Sequence, residues 1–353
     1  MTATRVPVTI DRDLLRRLPK AELHCHLDGS VRPATLIELG AEYGIGMPAS
    51  TPDALAAFML VSDARNLEDY LARFEVTLSV MQTESALERI AYELAADAAT
   101  EGVRYLEVRY CPALNQRRGL SLGAAIEGPL RGLQRAERDH GIVARLIVTA
   151  LRTQPADHSL ELARLAVAYR HKGVVGFDLA GGEAGNPASR HAAAFRHAQS
   201  HEVACTCHAG EGDGSGSVRD AVHQCGAHRI GHATRLIDDP SLVEYVADRR
   251  IALEICLTSN VQTQAAASYE SHPFRAYFDR GLNVVLNTDN RLMSGVTLTD
   301  EYAAAATHLG FTLDELCTVA MNGFESAFLP WSERQALMAR VAPEIDALRA
   351  FAR

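Results

Sequence analysis

Short β-rich runs alternate with helical stretches along most of this chain, and that alternation limits the folds open to it more than any other feature. The runs are ELHCHL (22–27), YLEVRY (105–110), ARLIVTALR (144–152), VVGFDLAG (174–181), VACTCHAG (203–210), HRIGHAT (228–234), ALEICLTSN (252–260) and NVVLNTDN (283–290). Between most of them lie Ala/Leu/Arg/Glu-rich segments, such as 160–169 and 192–199, with apolar residues at helical intervals. Strands separated by helices predict a parallel sheet with right-handed crossovers. A set of eight such units predicts an α/β fold, the (β/α)₈ TIM-type barrel. An open doubly wound sheet is the competing topology, but no Gly-rich phosphate turn follows the first run.

The whole chain, 1–353, reads as one barrel domain. The gap between the first and second runs, 28–104, is too long for a single crossover and predicts extra helices, with a helical lid insertion over roughly 50–100. Within it Leu67, Tyr70, Leu71 and Phe74 fall at i, i+3, i+4 and i+7, one apolar helical face. Core packing and a hydrophobic lid at the catalytic end are both open for that face.

Catalytic groups of such a barrel belong at the C-terminal ends of several strands. His24 and His26 end the first run, and period-2 alternation puts both on one face with Cys25 on the other. His208 and Glu211 end the fifth, His232 the sixth, and Asp289 with Asn290 the eighth. A lone His or Asp in a loop is usually structural or solvated; the joint placement at one rim is what carries weight. His24, His26, His208 and Asp289 suit a borderline divalent ion such as Zn²⁺, with room left for a water. His232 is then placed to orient and deprotonate that water, and Glu211 to shuttle a proton to substrate. The remaining histidines, His171, His197 and His272 among them, are read as surface or helix residues.

The bulk of the chain narrows the partners. It is 47% hydrophobic and 22% charged, has no apolar run of membrane-spanning length, and its first residues lack a secretory apolar core. These features predict a cytoplasmic protein with no membrane partner. A net charge of −9 without a basic cluster argues against nucleic acid. Seven cysteines, including Cys205 and Cys207 but no C-x-x-C, read as small buried hydrophobes rather than a disulfide scaffold.

The motifs HCHLDG, DLAGGE, HAGE, RIGHAT, CLTSN and NTDN, in this order, resemble the adenosine deaminase family of metal-dependent nucleoside aminohydrolases. The resemblance runs from about Leu18 to about Pro330. It implies a (β/α)₈ barrel with one Zn²⁺ per chain and a small purine nucleoside as partner. By it His24, His26, His208 and Asp289 match the zinc ligands, Glu211 the proton donor to purine N1, and His232 the histidine that works on the metal-bound water. Asp28 matches the residue that holds the ribose 5′-hydroxyl, and Gly181 the glycine whose backbone faces purine N3. The segment carrying Leu67, Tyr70, Leu71 and Phe74 is similar to the family's lid helix.

One position departs from the pattern. Many members carry Thr-Asp-Asp-Pro, whereas this chain reads Thr288-Asp289-Asn290-Arg291. The second acid is expected to meet purine N7, an acceptor; an ionised carboxylate only accepts, whereas Asn290 offers an N–H donor. The implied reaction is hydrolytic deamination at C6, adenosine giving inosine and 2′-deoxyadenosine giving 2′-deoxyinosine. Relatives acting on adenine or a 5′-modified adenosine are the alternative; adenine deaminases of the family often carry HLEG where this chain has HLDG. Two-metal barrel hydrolases are disfavoured, because of the two lysines, Lys20 and Lys172, neither sits at the rim of the fourth run. The H-x-E…P-C-x-x-C signature of the small zinc deaminases is missing. A non-catalytic binding protein is disfavoured because every ligand and both proton-handling groups are present.

Overall fold

The computed structural model describes residues 10–61 and 73–352. Strands β1 (Lys20–His26), β2 (Val103–Tyr110), β3 (Val143–Leu151), β4 (Val174–Ala180), β5 (Ala204–Ala209), β6 (Arg229–His232), β7 (Ala252–Ile255) and β8 (Val284–Leu286) pair in chain order. All seven adjacent pairings are parallel. This is the nearly closed (β/α)₈ barrel expected from the alternation.

Closure between β8 and β1 is made by side chain as well as backbone. Asn287 Oδ1 accepts the N–H groups of Leu23 and His24 at 2.7 and 3.1 Å. Beyond it, His26 N–H donates to the Asp289 carbonyl at 2.7 Å and Asp289 N–H to the His24 carbonyl at 3.0 Å. The seam of the barrel therefore fixes the backbone of three predicted metal ligands against one another.

The seventh and eighth strands fall furthest short of their predicted runs. The seventh stops at Ile255, and CLTSN opens a helix, Leu257–Gln262. Buried Glu301 accepts the N–H of Leu257 at 2.7 Å and of Thr258 at 3.2 Å, satisfying donors that a helix start leaves free. The eighth stops at Leu286, because Asn287 takes over the pairing and Asp289 turns into the left-handed region at φ 63°.

The strands are buried on both faces, as a helix-wrapped parallel sheet requires. The helix Leu122–His140 illustrates the outer layer. Ser121 caps its start by accepting Ala124 N–H at 3.1 Å, and Gly141 ends it at φ 69°. Its buried stripe includes Ala125, Ile126, Leu130, Leu133 and Ala136. Between β1 and β2 the described residues form the helices Pro33–Tyr43, Pro52–Met59, Phe74–Val80 and Glu84–Thr100. Leu67, Tyr70 and Leu71 lie outside the described residues.

Candidate active site

The predicted rim residues converge. The ligand-bearing atoms of His24, His208, His232 and Asp289 all lie within 4.8 Å of one another, and all four residues are buried. His26 joins them: its Nε2 is 3.1 Å from His208 Nε2 and 3.4 Å from Asp289 Oδ1. His24 Nε2 lies 3.3 Å from the same Asp289 oxygen. Cys25 packs away from this group, fully buried. His232 and Asp289 both hold positive φ, 64° and 63°, a conformation uncommon for residues other than glycine and concentrated at functional sites.

A layer of buried charge beneath the histidines orients them. His24 Nδ1–H donates to Glu254 Oε2 at 2.9 Å, and His208 Nδ1–H to Asp178 Oδ1 at 3.1 Å. Arg109 lies between the two acids, 2.9 Å from Glu254 and 3.6 Å from Asp178. Arg229 pairs with Glu254 at 2.6 Å and also with Glu107. Buried charges persist only when paired in this way. Sequence reasoning missed these residues, although Asp178 and Glu183 stand inside DLAGGE and Glu254 is a lone acid in an apolar strand.

The electrostatics follow from burial. It holds His26, His208 and His232 below the ordinary imidazole pKa, so each is neutral near pH 7. Burial and Arg109 also pull His24 down, but the neighbouring carboxylates of Asp289 and Glu254 outweigh them and leave its pKa raised. Burial would raise Asp289, yet the surrounding histidines hold it well below the usual carboxylate range. Glu211 goes the other way: burial first, then the charges of Asp289 and Glu183, push it well above that range. Two neighbouring acids are thus driven apart, one held ionised and the other favouring its proton.

Glu211 is held by its own backbone. The Glu183 carboxylate accepts three successive N–H groups, from Gly210, Glu211 and Gly212, at 2.6, 2.9 and 2.7 Å. The Glu211 carboxyl then lies 3.4 Å from His232 Nε2. Asp289 Oδ2 accepts Ser259 Oγ–H at 2.6 Å, and Asn260 bonds His232 Nδ1 at 2.9 Å. His272 corrects the sequence reading: it is not a surface residue but is buried, 3.1 Å from Asn260 Oδ1. Its helical, polar surroundings in sequence give no hint that CLTSN folds back over it.

These groups face a cavity of about 400 Å³, which Asp28, Phe74, Gly181 and Asn290 also line. Asp28 is buried, its Oδ1 has no hydrogen-bond partner, and burial raises its pKa to about 7. Gly181 stands at φ 93°. Asn290 packs so closely on Gly29 that a Cβ there would overlap its side chain, which gives the glycine of HLDG its reason.

The donor set fits a divalent ion. His24 Nε2 is a buried nitrogen without a hydrogen-bond partner, its other nitrogen is engaged by a carboxylate, and an ionised Asp289 stands opposite. Imidazoles oriented through Nδ1 by carboxylates, as His24 and His208 are, are the usual arrangement around zinc. No described helix is long and apolar enough to cross a membrane.

Comparison with known proteins agrees with this geometry. Residues 19–344 match the sequence model described as adenosine deaminase. Adenosine deaminase 1 of Streptomyces coelicolor is 42% identical over 351 residues, covering 94% of this chain and 88% of the relative. Adenosine deaminase of Mycobacterium avium is 40% identical over 354 residues, covering 94% and 96%. Among solved structures, adenine deaminase from Arthrobacter aurescens superposes with a TM-score of 0.86 at 27% identity, covering 93% and 99%. An amidohydrolase from Burkholderia ambifaria, solved with bound Zn, gives 0.87 at 29% identity, covering 99% and 97%. The chain belongs to the adenosine deaminase family.

Proposed function

We propose that this chain hydrolyses adenosine and 2′-deoxyadenosine to inosine and 2′-deoxyinosine with release of ammonia, in purine salvage or catabolism. The observation that carries the reading is Glu211, a carboxyl whose proton burial favours, beside an ionised Asp289 and the neutral His26, His208 and His232. One Zn²⁺ per chain, held by His24, His26, His208 and Asp289, would polarise a water and lower its pKa towards about 7.

The chain's own residues do the rest. Glu211 carries the proton that purine N1 receives as C6 is attacked, which draws electron density from the ring onto a neutral nitrogen. His232 orients the attacking water. Asn290 donates to N7 without needing an unusual pKa, Gly181 lets backbone approach N3, and Asp28 takes the ribose 5′-hydroxyl. The unpartnered Asp28 Oδ1 supports that last role, since a hydroxyl would satisfy it. Phe74, which lines the cavity, excludes water above the purine.

The reading also places the enzyme in the cytoplasm: its cysteines are free and buried, as suits a reducing compartment. A second reading, a relative acting on adenine or a 5′-modified adenosine, draws on solved structures named adenine deaminase and N6-methyl-AMP deaminase, the latter from Arabidopsis thaliana at 28% identity and a TM-score of 0.82. Asp28 disfavours a 5′-phosphate, which would meet an acid there. Ammonia release from adenosine, 2′-deoxyadenosine, adenine and AMP, measured beside the metal content, tests the choice. Fast turnover of adenine or AMP alone overturns it.

A further inference from the structure

A chain of hydrogen bonds running away from the site fixes where the proton of His232 sits. It starts at a group with no freedom, the backbone N–H of Phe274, which donates to His272 Nδ1 at 3.1 Å. His272 Nδ1 is therefore an acceptor, and a neutral ring must carry its proton on Nε2. The ring is neutral, since burial lowers its pKa to about 3. His272 Nε2–H meets Asn260 at 3.1 Å, so the Asn260 atom there must be the accepting Oδ1. The other end of the amide, Nδ2, faces His232 Nδ1 at 2.9 Å, and an amide nitrogen only donates. His232 Nδ1 accepts; its proton lies on Nε2, the nitrogen that faces Glu211 and the cavity.

The contrast with the neighbouring histidines is sharp. His24 and His208 offer Nδ1 to carboxylates, Glu254 and Asp178, which draws the proton to Nδ1 and frees Nε2 for a metal. His232 offers Nδ1 to an amide N–H, which does the reverse. Four residues satisfy the distance requirement for a metal group with His232 among them, but second partners divide them.

We infer that Asn260 and His272 are positioning residues that hold His232 as its Nε2–H tautomer, so that His232 meets the reacting water as a hydrogen-bond donor and stays outside the metal's ligand set. The donor role rests on the deaminase reading above; the tautomer does not. A lone pair on Nε2, which the deprotonating role expected from sequence requires, is unavailable in this state. Moving the proton to Nδ1 would set two N–H groups, those of His232 and Asn260, against each other.

The test is nitrogen-15 NMR of the zinc-loaded enzyme carrying labelled histidine, with the His232 signals assigned by their loss in His232→Gln. The expected result is a pyrrole-type Nε2 and a pyridine-type Nδ1. Asn260→Asp keeps an acceptor for His272 but turns the other end into an acceptor, so it is expected to reverse the tautomer. It should lower kcat roughly a hundredfold, the usual loss on removing a transition-state hydrogen-bond donor, with little change in KM. His272→Phe unlocks the amide and is expected to populate both tautomers. A wild-type His232 protonated on Nδ1 overturns the proposal, whether or not the variants fold; so does Asn260→Asp with an unreversed tautomer or undiminished kcat. Absence of ammonia release from adenosine by wild type defeats the deaminase reading and leaves the tautomer result standing.

Discussion

Glu183 Oε2 accepts the backbone N–H of Glu211 at 2.9 Å, so one buried acid positions another. The same carboxylate takes the N–H groups on either side, which ties the loop after β4 to the loop after β5. In Glu183→Ala three donors lose their acceptor, each loss costing about 1–3 kcal/mol where no water replaces it. Glu211 is then misplaced, and kcat is expected to fall roughly 10–100-fold while metal content holds, with Glu183→Gln in between. Steady-state kinetics beside metal analysis check this; a wild-type kcat in Glu183→Ala would remove the positioning role.

Asp178 is expected to set metal affinity without touching the metal. It accepts His208 Nδ1–H at 3.1 Å and Thr149 Oγ1–H at 3.2 Å. Asp178→Asn keeps the shape and loses the charge, while Arg109 retains Glu254 at 2.9 Å. Loss of such a second partner typically weakens metal binding roughly 10–100-fold. Competition against a chelator measures it, and an unchanged affinity counts against the assignment.

Much of this was legible in the sequence, and the limits have physical causes. Alternating runs gave the barrel, and His24, His26, His208, His232, Glu211 and Asp289 stood out because polar residues at strand ends are conspicuous in apolar surroundings. What supports them was harder to see. Glu254 and Arg109 look like errors in buried strands until their pairing across the barrel is known. Asn260 was read as strand because CLTSN continues an apolar run, and nothing local reveals that Glu301, over 40 residues later, caps a helix there. Arg291 is explained by the two buried acids it pairs with, Glu22 and Glu101, which lie far from it in sequence.

The close approach of Gly29 and Asn290 makes a substrate-side prediction. A methyl group in Gly29→Ala overlaps the Asn290 side chain and must displace it. One hydrogen bond to the purine is lost, about 0.5–1.5 kcal/mol, so KM for adenosine should rise roughly 2–10-fold with metal content unchanged. An unaltered KM would show that Asn290 does not bind the base.

Glu301 predicts a pH dependence of stability. Its carboxyl ionises near 4.5 when unfolded and is pushed up to about 8 by burial in the fold. The folded state holds the proton more tightly, so the stability this group contributes is full below about pH 4.5. It declines above that and is lost as pH rises through about 8. Glu301→Gln removes the titration, on the order of a few kcal/mol across that window. The melting temperature of the variant relative to wild type, at equal metal content, should therefore rise from about pH 5 to about pH 9. A constant difference contradicts the burial argument.

The most direct measurement is ammonia release from adenosine by wild type and Glu211→Gln at matched metal content. Glutamine keeps the size of the side chain and cannot deliver the proton that N1 needs. The account predicts rapid release by wild type and a loss of roughly 10²–10⁴-fold in kcat for the variant. Near-normal turnover by Glu211→Gln with its metal retained would contradict it.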